Sequence, residues 1–126
     1  MTAAARSSGP AFSATLHVQQ GAVIIRVVGE LDHDAAPVLA EQLDRAQRVA
    51  GTPVLIVDTA KISFCDSDGL NTLIVAALRA KDTGIRMMFS GVHGTLARML
   101  SLTGLTVFFE IHPSTQDALH ASVHQG

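Results

Sequence analysis

Apolar and polar residues first alternate over Ala14–Val18, where Leu16 and Val18 share one face, the period of a half-exposed strand. Gln19–Gln20–Gly21 is a turn signal. The almost continuously apolar Ala22–Leu31 follows it, so the two segments read as a hairpin. Helical spacing takes over in Ala35–Ala50, with Leu39, Leu43, Ala46 and Ala50 on one stripe and Gly51 and Pro53 as stop signals. Val54–Val57 has the unbroken aliphatic character of a strand buried on both faces. The clearest helix is marked by Leu70, Leu73, Ile74, Ala77 and Leu78, which read as core. Asp66–Ser67–Asp68 opens it and Gly84 closes it. Ile85–Ser90 predicts another strand, and Leu96, Met99, Leu100 and Thr103 a helix stopped by Gly104. Val107–Ile111 reads as a last strand. Pro113–Ser114 introduces a final helix, with Ser114 and Asp117 spaced as a variant capping box.

The order is ββαβαβαβα. Strands separated by amphipathic helices need parallel pairing with crossover helices. The expectation is an α/β fold: one mixed, mostly parallel sheet of about five strands, with helices packed mainly on one face. A short flexible tail of small residues is expected over 1–13 and one domain over 14–126.

Composition narrows the function classes. The chain has 126 residues, 48% hydrophobic and 16% charged, which suits one domain with a real core and excludes global disorder. Nine Lys and Arg stand against eleven Asp and Glu, and five Phe are the only aromatic residues besides histidine. With no basic run and little to stack on bases, direct nucleic-acid binding is not expected. No apolar run approaches the length needed to cross a membrane or serve as a secretory signal. The single Cys65 fits a reducing compartment, so a cytosolic protein is expected, with little material for a cofactor pocket or a metal cage.

Two segments concentrate chemistry. Ile62–Asn71 joins a buried strand to a helix N-terminus, where free N–H groups and the positive end of the dipole meet. Ser67 and Asp66 there have the bland reading of helix caps, whereas Gly69 opens a helix with no packing reason visible in the sequence. Gly29–Glu30–Leu31–Asp32–His33–Asp34 ends an apolar strand in acids and a histidine; its bland reading makes Asp34 a helix cap. Loops leaving parallel strands gather on one sheet edge, which would place Glu30, Asp32, Asp34, Asp66 and Asp68 as one acidic patch around Ser67. Cys65-x-Ser67-x-Gly69 superficially resembles a nucleophile elbow. The spacing of Asp82, His93 and His112 does not support a triad, however, and Asn71 stands where a Cys-x5-Arg phosphate cradle needs arginine. His120 and His124 share a helix face, but two ligands are too few for a metal site.

Together these segments resemble the STAS family of bacterial anti-sigma factor antagonists. Gly29–Glu30–Leu31–Asp32 matches the family's G-E-L/I-D, and Phe64–Cys65–Asp66–Ser67–Asp68–Gly69–Leu70 matches its [FY]-[ILMC]-D-S-[ST]-G-L. The resemblance implies a non-enzymatic one-domain switch, a monomer or weak dimer, without a cofactor. It would bind an anti-sigma factor that is also a serine kinase, and so release a sigma factor. Ser67 is the implied phosphorylation site, with a protein phosphatase restoring the active form. Glu30, Asp32, His33, Asp66, Asp68, Gly69, Leu70 and Asn71 are the implied partner surface. Asp68 departs from the family's Ser or Thr and sets a fixed negative charge beside the acceptor. That departure keeps a second implication open: a non-switching STAS scaffold or interaction module.

Overall fold

The structure is a computed structural model that describes residues 12–49, 51 and 53–124. The elements run β1 (Ser13–Gln19), β2 (Ala22–Leu31), α1 (Ala36–Gln47), β3 (Val54–Cys65), α2 (Ser67–Thr83), β4 (Arg86–Ser90), α3 (Gly94–Thr103), β5 (Glu110–His112) and α4 (Thr115–His124). They form one five-stranded sheet in the order β1-β2-β3-β4-β5, antiparallel only between β1 and β2. This is the mixed, mostly parallel α/β architecture expected. The expected tail lies largely outside the described residues, as does Ala50. Ser13 opens β1 and Phe12 packs against the core.

Strand alternation divides the apolar residues between the two faces of the sheet. Val23, Ile25, Leu55, Val57 and Phe89 face α1, α2 and α3, meeting Leu39, Leu43, Leu70, Leu73, Leu96 and Leu100. On the other face Ala22, Ile24, Ile56 and Met88, with half-buried Val54, meet Ala118 and Leu119 of α4. Two strands differ from expectation. β3 runs twelve residues rather than stopping at Val57, because its polar stretch is satisfied in place. Thr59 Oγ1 donates to the Ser90 carbonyl at 2.8 Å, and the Asp58 carboxylate accepts from the Ala60 amide at 3.1 Å. Conversely, Leu105–Phe108 is a 3-10 turn that leaves Val107 94% exposed, and only Glu110–His112 pairs with β4.

Both ends of α2 follow from local chemistry. Asp66 is extended and its Oδ1 accepts from the Gly69 amide at 2.9 Å, while Gly84 takes the left-handed conformation (φ 78°) that ends the helix. The expected box at α4 also forms, with Ser114 Oγ accepting from the Asp117 amide and donating to its carboxylate. Among the described residues no helix is long and apolar enough to cross a membrane.

Candidate functional site

The parallel ladder of β2 and β3 ends with Leu31 beside Cys65, so the two chemistry-bearing segments leave the sheet side by side. The Asp66 amide donates to the Leu31 carbonyl at 3.2 Å, tying the start of α2 to the end of β2. Beyond Leu31 the chain turns at once. The Asp32 carboxylate and carbonyl both accept from the Ala35 amide, at 3.0 and 3.1 Å. Asp34 does not cap α1 as expected: the helix has Ala35 at its N-cap with no side-chain cap. Asp32 instead holds the turn that leads into it, its carbonyl also accepting from the Ala36 amide at 2.9 Å.

Ser67 is the first residue of α2, exposed, and its hydroxyl makes no hydrogen bond within the described residues. Asp66 O accepts from the Leu70 amide at 2.9 Å and its carboxylate holds Gly69. The amides of Ser67 and Asp68 remain among those that no helix satisfies internally. Asp68, also exposed, places Oδ2 2.8 Å from His33 Nδ1. That hydrogen bond raises the His33 pKa, aided by the charges of Asp68, Asp34 and Asp66 and opposed by slight desolvation. The expected patch of five acids thus divides. Asp68 pairs with His33, whose imidazole also feels the charges of Asp34 and Asp66, and Asp32 is half-buried in its turn. Exposed Glu30 and its register neighbour Phe64 point away from the face that buries Leu31 and Cys65.

Gly69 and Leu70, expected at a partner surface, are buried and so offer a partner little to touch. Gly69 does have a packing reason: a Cβ there would collide with the Leu31 carbonyl oxygen and lie 2.6 Å from Leu31 Cγ. Asn71 is exposed one turn beyond Ser67. Further along the same outward stripe Val75 and Leu78 are 46% and 48% exposed, so Leu78 is not core as expected. The spacing 67, 71, 75, 78 was the signal available for that stripe.

The nucleophile-elbow reading finds no geometry. Burial, with the Asp66 charge, pushes the Cys65 thiol up to about 11, leaving it protonated at neutral pH. His93 bonds the Ala60 carbonyl and His112 bonds Glu110, so neither reaches Ser67. Among the described residues no three metal-ligating side chains are grouped to hold an ion.

With this geometry in view, the sequence and fold were compared with known proteins. The family model described as the STAS domain matches residues 13–118. An anti-sigma-B factor antagonist of Listeria monocytogenes is 32% identical over 87 residues, 69% of this chain and 75% of that protein. The crystal structure of an anti-sigma factor antagonist from Mycobacterium paratuberculosis superposes with a TM-score of 0.80 at 24% identity, covering 88% of this chain and 93% of that one. The Bacillus cell fate determinant SpoIIAA, in its phosphorylated form, superposes with a TM-score of 0.68 at 21% identity, covering 89% and 99%. The site at the joined ends of β2 and β3 is thus carried by a chain that belongs to the STAS domain family, with anti-sigma factor antagonists among its relatives.

Proposed function

We propose that this chain is an anti-sigma factor antagonist: it binds an anti-sigma factor of the serine-kinase type, frees a sigma factor, and is switched off by phosphorylation of Ser67. A phosphatase restores it, and the chain, a monomer or weak dimer in the cytoplasm, is a substrate and binding partner rather than a catalyst. The observation that carries this reading is Ser67 itself. Its hydroxyl is exposed and unbonded, at the first position of a well-capped helix.

The physics of modification at this point is asymmetric. Phosphoserine carries about −1.5 to −2 charges at neutral pH. The unsatisfied amides and the dipole of α2 favour that charge, so the fold tolerates it. A partner seated on Asp32, His33, Asp66, Asp68 and Asn71 meets it as added repulsion and desolvation, beside carboxylates already clustered there. Loss of binding with the fold intact needs little energy, since about 1.4 kcal/mol is tenfold in affinity.

The test uses the serine-kinase anti-sigma factors of the genome that encodes this chain, each purified and incubated with the chain and ATP. One of them is expected to bind the chain and to add about 80 Da, one phosphate, at Ser67. Ser67→Ala should bind that kinase and gain no mass. Absence of binding by every kinase, or phosphate placed elsewhere, would refute the proposal.

A further inference from the structure

The position after the acceptor serine holds a carboxylate, and that carboxylate does not face solvent alone. Asp68 Oδ2 lies 2.8 Å from His33 Nδ1, across a sequence separation of 35 residues. The contact spans the two loops that flank Ser67, joining the turn after β2 to the first turn of α2. Among the described residues, the charges acting on the imidazole are all acids. Asp34 comes from its own turn, and Asp66 and Asp68 come from the start of α2. The pair is exposed, with 82% of the His33 side chain and 57% of the Asp68 side chain accessible, so an approaching partner meets both.

Two charge states follow from one geometry. With both ring nitrogens protonated, His33 cancels Asp68, and the surface beside Ser67 has one fewer net negative charge. Neutral imidazole still donates Nδ1–H to the carboxylate, so the contact survives, but the carboxylate charge is then uncompensated. It belongs to the residue after Ser67, where phosphorylation would add more charge of the same sign.

We propose that His33 gates Asp68: protonated, it masks the carboxylate beside Ser67, and on losing its proton it leaves a charge that imitates part of the modified state, so the unmodified chain binds its anti-sigma factor more weakly as pH rises. This rests on the function proposed above and adds a proton-dependent regulation to the same surface. The ion pair is open to water, so the effect is modest and shrinks with salt.

Two measurements test it. Histidine ring NMR should show His33 titrating at higher pH in the wild type than in Asp68→Asn; identical titration would overturn the gate. Calorimetry without ATP then follows binding to the kinase that modifies Ser67, at pH 6 and pH 8. Wild type should weaken about threefold or more between them, the scale of a screened surface pair. Asp68→Asn should bind at pH 8 at least as tightly as wild type does at pH 6, since no carboxylate remains to be unmasked. His33→Gln should bind at pH 8 as wild type does and lose the gated part of the pH dependence, so whatever dependence remains belongs to the partner. Equal pH dependence in wild type and His33→Gln, or wild-type affinity at pH 8 in Asp68→Asn, overturns the gate alone, with the proposed function intact. Failure of every kinase to bind overturns both.

Discussion

A methyl group on Gly69 would meet the carbonyl oxygen of Leu31, its Cγ at 2.6 Å and the Cys65 sulfur at 3.2 Å. Backbone is the obstacle, and that carbonyl already accepts from the Asp66 amide, so it has little freedom to retreat. Gly69→Ala is expected to destabilise the domain by about 1–3 kcal/mol, as overpacking does, seen as a lower denaturation midpoint at unchanged slope. An unchanged midpoint would mean that α2 can shift away from β2 at no cost. Residue roles set by neighbours in the chain were readable beforehand: the Asp66 cap and the position of Ser67 follow from cap preferences alone. The packing of Gly69, the turn built by Asp32 and the His33–Asp68 contact were not. Each depends on the ends of β2 and β3 lying together, and pairing between distant segments leaves no mark in local spacing.

Among the elements, β5 and the segment before it diverge most from the sequence pattern. Val107–Ile111 has the apolar content of a strand, yet a 3-10 turn takes the first half and only three residues pair with β4. What secures that short strand is polar. Arg86 of β4 donates through Nε and Nη2 to Glu110, at 2.9 and 2.6 Å, and reaches the Ala121 carbonyl of α4 at 3.5 Å. The Arg86 hydrogen bonds, against some desolvation and with help from His112, hold the Glu110 pKa below the usual carboxylate value. A carboxyl depressed in the folded state adds stability above its ordinary pKa and loses it as pH falls through the folded value. Glu110→Gln should therefore melt below wild type at pH 7, and the gap should close on acidification below about pH 4.5. A gap of constant size down to pH 2 would exclude the ion pair as its source. β3 shows the same limitation from the opposite side: its length was hidden because Asp58, Thr59, Lys61 and Ser63 read as the end of a strand.

For the whole molecule, the order of elements and the class of sheet were legible, because alternation, helical spacing and Gly or Pro stops recur at regular intervals. The separation of three helices on one face from α4 on the other came only with the strand order. Ser67 is exposed where α2 begins at the end of β3, outside the apolar layers that close the two faces. A negative charge at Ser67 should thus leave the global fold unaltered. Ser67→Glu is expected to keep its circular dichroism spectrum and to melt at or slightly above the wild-type temperature, since an acid in a helix's first turn contributes about 0.3–1 kcal/mol. Binding to the cognate kinase should fall tenfold or more in the same variant. A cooperative loss of structure would show that the site is coupled to the core instead.

β3 ends at Cys65, one residue before the Asp66 cap, and at that point it is still hydrogen-bonded to β2. Ser67 is thereby anchored between a parallel ladder and a capped helix, with only the Asp66 cap residue between it and the strand. On the proposed function, such a device has no memory. It carries no hysteresis and no relaxation time of its own, so the fraction of sigma factor released at any moment follows the momentary balance of kinase and phosphatase.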